Sequence, residues 1–147
     1  MIICFAADHG GYELKNRIKA HLAERKDVKI VDLGVNTADP VDYPAYGKAC
    51  AEAVASGKAD LGVVCCGTGL GISMAANKVH GIRCALLTSD ELARKAKQHN
   101  NANMVAFGGR TTQAEDACRM VDIWLDEEWL GTSLERHRRR VDQLDQM

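Results

Sequence analysis

Five short apolar runs, separated by segments with helical periodicity, constrain this sequence more than any other feature. They span residues 2–7, 29–33, 61–66, 84–88 and 104–107. Each is aliphatic or β-branched and closes on Gly, Asp or Ser, as strands buried on both faces of a parallel sheet do. Between them, Leu14, Ile18 and Leu22 recur every four residues, Ala49, Ala53 and Val54 mark a second helix, and residues 74–79 a third. A polar helix precedes His99. Another starts at Thr111-Thr112 and runs through Ala117, Val121 and Trp124, and a last one carries Leu134, Val141 and Leu144. Strand–helix alternation of this kind demands parallel crossovers with helices on both faces. The expected fold is therefore α/β, a three-layer α/β/α sandwich around a doubly wound five-stranded parallel sheet, Rossmann-like. A length of 147 residues fits one domain, residues 1–147, with no linker or repeat. Only 5% of residues are aromatic against 46% hydrophobic, so the core must be aliphatic.

Charge excludes several functions. Nineteen basic against twenty acidic residues leave a net charge of −1, without the basic excess of a nucleic-acid coat or a membrane-surface protein. No apolar run approaches the ~18–20 residues of a membrane span. The first residues lack the basic lead and small-residue cleavage site of a signal peptide. Six cysteines, at 4, 50, 65, 66, 84 and 118, form no C-x-x-C pair. Those at 4, 65, 66 and 84 lie in apolar runs and are expected to be buried free thiols in a reducing, cytoplasmic compartment.

Ligands of open parallel sheets bind outside the carboxyl ends of the strands. Of the segments there, Cys66-Gly67-Thr68-Gly69-Leu70-Gly71 says most. Its glycines leave backbone N–H groups pointing outward at a helix start, which suits an anion; the bland alternative is a tight turn with no ligand. It lacks the Lys-Ser/Thr of a P-loop, has Ile72 where the dinucleotide fingerprint wants glycine, and has no arginine for a thiolate phosphatase. Cys66 ends the strand; because side chains alternate, Cys65 and Cys66 cannot share a face. A thiol there is placed to be held as thiolate, nucleophile or base, or else is simply buried.

Asp8-His9 ends the first strand, where a carboxylate and an imidazole can enter the same cleft; the plainer reading is a helix cap and a surface histidine. His99-Asn100 opens an amide-rich connector that could also be only a turn. His21 and His80 read as solvent-facing. Arg110 ends the fifth strand. Arg136 and Arg140 share one helix face and could grip a phosphate with planar forks, while Arg138 and Arg139 read as solvated. Ending the chain, this helix, about residues 133–147, is expected to reach a neighbouring subunit's cleft. No His, Cys or carboxylate spacing makes a metal ligand set.

These residues resemble the ribose-5-phosphate isomerase B / galactose-6-phosphate isomerase family. The resemblance rests on Asp8-His9-Gly10-Gly11, Asp42-Tyr43-Pro44, Cys66-Gly67-Thr68-Gly69-Leu70-Gly71 with the following Ile72 to Lys78, Gly81-Ile82-Arg83, His99-Asn100 and Arg136-His137, in order along the chain. It implies a cofactor-free aldose–ketose isomerase acting on a sugar phosphate, chiefly D-ribose 5-phosphate and D-ribulose 5-phosphate. It implies a homodimer or dimer of dimers, with sites at the interface. Cys66 matches the base moving the proton between C1 and C2; the stretch from Gly71 to Lys78 offers no carboxylate in its place. His99 matches the ring-opening acid/base, with Asp8 nearby. Thr68 and the amides of Gly67, Gly69, Leu70 and Gly71 match the enediolate donors. His9, Arg110, Arg136 and Arg140 match the phosphate grip, and Asn100 and Tyr43 line the sugar. The chain departs in a slightly long connection, residues 129–135, before the arginine helix. Two alternatives stand beside this reading: an isomerase of allose or galactose 6-phosphate, and a non-catalytic phosphate- or nucleotide-binding module, which would leave Cys66 and His99 without work.

Overall fold

A computed structural model describes every residue from Met1 to Met147. Five strands, β1 (Ile2–Ala7), β2 (Lys29–Asp32), β3 (Leu61–Cys66), β4 (Cys84–Leu86) and β5 (Met104–Gly108), form one parallel sheet in the order β2-β1-β3-β5-β4. The helices are α1 (Tyr12–Leu22), α2 (Tyr43–Ala55), α3 (Leu70–Asn77), α4 (Asp90–Gln98), α5 (Ala114–Asp126) and α6 (Glu135–Asp145). The expected three-layer, doubly wound architecture is present.

Strand alternation sorts the core into two layers. Ile3, Phe5, Ala7, Val63, Cys65, Val105 and Phe107 point to α1, α4 and α5. Cys4, Ala6, Val64, Cys66, Met104 and Ala106 point to α2 and α3. Cys65 and Cys66 thus lie on opposite faces, as strand geometry requires. Trp124, the largest fully buried side chain, anchors α5 in the first layer and donates its indole N–H to the Ala102 carbonyl at 3.0 Å. Burying each such side chain contributes about 1.5–3 kcal/mol. Because α1 leaves β1 on one face and α3 leaves β3 on the other, a crevice opens between the carboxyl ends of these adjacent strands.

Several local expectations need correction. β4 stops at Leu86, short of Thr88, and β2 stops at Asp32. The buried face of α3 is Ile72, Ser73 and Ala76, whereas Met74 is 62% exposed. The segment 36–44 is irregular only up to Asp42, since Pro44 sits in the first turn of α2, where its missing N–H costs nothing. Cys4 is not a free thiol: it is disulfide-paired with Cys50, which the buried face of α2 presents directly to β1 with Cα atoms 6.0 Å apart. His21 is not left to solvent but meets Asp122 across α1 and α5 at 2.6 Å. His80 is exposed, as expected.

Candidate active site

Three turns meet at the carboxyl edge. The turn after β3 is stitched to the one after β5 by Gly109 N–H to the Cys66 carbonyl at 2.8 Å and Arg110 N–H to the Gly67 carbonyl at 2.9 Å. Gly10 lies close enough to Gly67 that an added Cβ would sit 3.0 Å from the Gly67 nitrogen. Gly69 precedes α3 at φ 78°, a left-handed geometry that suits glycine. That geometry turns its N–H onto Cys66 Sγ at 3.1 Å. Cys66 itself is 4% exposed. Thr68 and Leu70 are exposed above it, with Leu70 N–H donating to Thr68 Oγ1 at 3.2 Å. The sulfur thus has a backbone N–H donor aimed at it, beside a helix start. Cys65, by contrast, is pushed well up by burial and then by Cys66, and Cys84 is pushed up by burial to about 12. Both are structural.

Asp8 is buried beneath this edge and accepts the Gly11 N–H at 3.1 Å. His9 Nδ1 accepts the Val41 N–H at 3.2 Å, which leaves the proton on Nε2 and makes that nitrogen a donor. Fully buried Lys15 holds the start of the loop that leads to Val41, its ammonium donating to the Val35 carbonyl at 2.6 Å and to Asp32 at 2.9 Å. Tyr43 packs over Gly71, where any Cβ would overlap its ring, and the Arg110 guanidinium lies over Gly67. The edge therefore gathers Asp8, His9, Tyr43, Cys66, Gly67, Thr68, Gly69, Leu70, Gly71 and Arg110.

The remaining predicted residues lie at the other end of the sheet. A strand of a parallel sheet is preceded by chain at its amino edge, and His99-Asn100 comes just before β5. From Met104 opposite Gly62 to Gly108 opposite Cys66, four steps of ~3.3 Å place roughly 13 Å of sheet between the two ends. α6 lies at the same end as His99: His137 stacks on His99 with ring centroids 4.4 Å apart and an interplanar angle of 14°. Arg136 and Arg140 are exposed there without a carboxylate partner, while Arg139 pairs with Glu135 at 2.9 Å. The long connection before α6 is taken up by a 3₁₀ turn at Leu130–Thr132. Within one chain, then, the structure does not bring His99, Asn100, Arg136 and Arg140 to Cys66.

His137 was given no role by its sequence position. It is 5% exposed, and burial, then the positive charge of His99, Arg136, Arg140 and Lys95, holds it below the ordinary imidazole range. A signal existed: His137 and Val141 are four apart, so they form the inward stripe of α6.

Residues 3–144 match the Ribose/Galactose Isomerase family. The chain belongs to that family. Among its isomerase relatives, the ribose-5-phosphate isomerase B of Escherichia coli K12 is 44% identical over 140 residues, 95% of this chain and 91% of that protein. The galactose-6-phosphate isomerase subunit LacB of Clostridium acetobutylicum is 43% identical over 132 residues, 90% of this chain and 76% of that one. The solved ribose-5-phosphate isomerase B of Clostridium thermocellum superposes with a TM-score of 0.94 at 45% identity, covering 99% of this chain and 96% of the other. That of Mycoplasma genitalium, solved with bound ribulose-5-phosphate, gives 0.91 at 39% identity, covering 99% and 94%. No helix of this family member is long and apolar enough to cross a membrane.

Proposed function

We propose that this chain is a cofactor-free aldose–ketose isomerase interconverting D-ribose 5-phosphate and D-ribulose 5-phosphate. The observation that carries the reading is the Gly69 N–H aimed at Cys66 Sγ at 3.1 Å, on the floor of a turn whose outer amides and Thr68 hydroxyl remain available. A base at that point has oxyanion donors already arranged around it.

The chemistry follows from this arrangement. His99, with Asp8 nearby, opens the furanose by handing a proton to the ring oxygen as the C1 hydroxyl loses one. The Cys66 thiolate takes the proton from C2, leaving a cis-enediolate whose charge lies on O1. The same thiol returns the proton to C1, while the hydroxyl proton moves from O2 to O1 by way of Thr68. Amides of Gly67 and Gly71 hold the charged oxygens, since those of Gly69 and Leu70 are engaged on Cys66 Sγ and Thr68 Oγ1. His9 Nε2, Arg110, Arg136 and Arg140 take the phosphate, and Tyr43 and Asn100 border the sugar. A positioned base contributes ~10²–10⁴-fold, and one preorganised oxyanion donor ~10²–10³-fold.

The two groups of residues lie at opposite ends of one sheet, so the reaction needs two copies. The active form is a homodimer or dimer of dimers, in which the amino edge of one protomer, α6 included, completes the carboxyl edge of the next. Leu70 and Met74 on the outer face of α3, and Leu144 and Met147 near the end of α6, are exposed apolar residues that such a contact would bury. The enzyme works in the cytoplasm, where Cys66 stays reduced; Cys4 and Cys50 are both 0% exposed and so shielded from reductants in solution.

Cys66→Ala tests the central step. Turnover of ribose 5-phosphate is expected to fall at least ~10³-fold, toward the upper end of a general base's contribution, with Tm and binding of inorganic phosphate unchanged. Turnover near that of the wild type would remove Cys66 as the base. A turnover panel including allose and galactose 6-phosphates fixes the sugar length; a hexose preference would replace the pentose.

A further inference from the structure

The Gly81-Ile82-Arg83 run has no task in the reaction above, yet Arg83 holds more of the amino edge together than any other side chain. It stands just before β4, its side chain 14% exposed. Nε donates to the Asn100 carbonyl at 3.1 Å and the Asn101 carbonyl at 3.3 Å, and Nη2 donates to the Asn101 carbonyl at 3.0 Å. Nη1 pairs with Asp145, the last residue of α6. Its backbone N–H donates to Asn103 Oδ1 at 2.8 Å, and Asn103 Nδ2 donates back to the Gly81 carbonyl at 2.9 Å. One planar fork thus ties three pieces of chain: the start of β4, the turn after α4 and the end of α6.

Those pieces carry the amino-edge residues. The turn bears His99 and Asn100, and Asn101 within it takes φ 43°, an uncommon left-handed conformation for a residue with a side chain. The carbonyls that Arg83 holds are those of Asn100 and Asn101, the ones this conformation presents. α6 bears Arg136 and Arg140 and packs on the body of the chain through His137, stacked on His99, and buried Val141, while Asp145 on Arg83 fixes its end. Without the Asp145 contact, the end of α6 beyond Val141 has no side-chain tie to the start of β4.

We infer that Arg83 is a positioning residue of the reaction. It sets the His99–Asn100 turn and α6 in one geometry, so that the ring-opening imidazole and the phosphate arginines reach a partner's thiol as a unit. The inference rests on the reading of His99 as the ring-opening group. The guanidinium is engaged on the Asn100 and Asn101 carbonyls and on Asp145, so it acts through these neighbours. Lysine brings the charge but not the fork, and Arg83→Lys can serve only one arm at a time.

The test separates the ring step from the proton step. Ribulose 5-phosphate cannot close a furanose, because its C5 oxygen carries the phosphate. Deuterium wash-in at its C1 in D₂O therefore reports proton transfer alone, whereas ribose 5-phosphate turnover also needs ring opening. For Arg83→Met, kcat on ribose 5-phosphate is expected to fall about 10²-fold, the loss that a misplacement of order 1 Å brings, while saturated C1 exchange keeps most of its rate. Arg83→Lys should lie between, and Arg83→Met with His99→Asn should be no slower on ribose 5-phosphate than His99→Asn alone. The His99 ring resonances should shift in Arg83→Met while those of His9 do not. Equal losses in turnover and exchange for Arg83→Met, or unmoved His99 resonances, overturn the inference. Should His99→Asn itself lose both rates equally, the ring-opening reading fails, and the resonances alone then decide whether Arg83 positions the turn. If Arg83→Met does not fold, Arg83→Lys carries the same comparison.

Discussion

The two edges of the sheet solve different problems with different materials. At the carboxyl edge, the geometry is made by backbone: three glycine-bearing turns interlock through main-chain hydrogen bonds, and one left-handed glycine aims an amide at Cys66. At the amino edge it is made by side chains: His137 stacks on His99, and Arg83 ties the following turn to α6. Backbone donors suit charge that appears at a fixed point, since they cost no reorganisation as it develops. Side chains on a helix suit groups delivered from outside, such as an imidazole and two arginines. On the function proposed above, the carboxyl edge carries the proton-transfer groups within one chain, whereas the amino edge acts only on a second copy.

The sharpest way to break this comparison is to divide the reaction between two inactive proteins. Cys66→Ala keeps an intact amino edge and His99→Asn an intact carboxyl edge. If sites form between copies, a mixed dimer holds one site with both residues intact and one with neither. Equal mixing after dissociation should then restore roughly a quarter of wild-type turnover, because about half of random dimers are mixed and each has one good site of two. Both parents alone should be slower by orders of magnitude. A mixture no faster than its parents would mean that each chain builds its own site, and the partition between edges would lose its functional meaning.

The two edges were not equally legible in the sequence. Glycine turns after buried strands lie at the carboxyl edge by rule, and alternation alone separated Cys65 from Cys66. The same rule places His99 at the opposite end, because it follows a helix and precedes β5. Spacing alone could not say that the opposite end belonged to the same reaction; only the family resemblance joined them. His137 was hidden because its neighbours Arg136, Arg138, Arg139 and Arg140 make the segment read as a solvated charge run, although the stripe with Val141 points inward. Met74 misled in the other direction: an apolar residue on the outer face of a short helix looks like core when its own fold leaves it exposed. The Cys4–Cys50 pair was illegible because its partners, a strand and a helix, lie 46 residues apart.

A smaller effect sharpens how the edges share the phosphate. Arg136 and Arg140 lack carboxylate partners, whereas Arg139 is held by Glu135. A hydrogen bond to a charged group contributes about 1.5–3 kcal/mol, so Arg136→Ala and Arg140→Ala should each raise KM for ribose 5-phosphate about 10–100-fold. Arg139→Ala, which removes an exposed pair worth at most ~1 kcal/mol, should change KM only slightly. Inhibition by inorganic phosphate should weaken in parallel with the first two. Arg110→Ala, at the carboxyl edge, should do the same if the phosphate is gripped from both sides. An Arg139→Ala defect as large as that of Arg136→Ala would show that general basicity, and not the helix face, holds the phosphate.

The smallest effect separates the edges by pH. Burial and the neighbouring cations hold His137 below the ordinary imidazole range in the folded chain, so the unfolded chain takes up that proton first as acid is added. Between the ordinary value of ~6.5 and the lower folded one, the unfolded state binds more protons, and stability rises with pH. The contribution is therefore complete above the ordinary value and drains away as pH falls through that window. Wild-type Tm should decline more steeply from about pH 7.5 to 5 than that of His137→Gln, which has no imidazole to charge. Because a charged His137 would sit stacked on His99, the same acid should loosen the amino edge before the carboxyl edge. Hydrogen-exchange protection, taken relative to the intrinsic rate at each pH, should fall at the amides of Asn101 and Ala102 at low pH while that of Gly69 does not. Parallel Tm slopes in the two proteins, or simultaneous loosening at both edges, would mean that the imidazole stack is not what holds α6 in place.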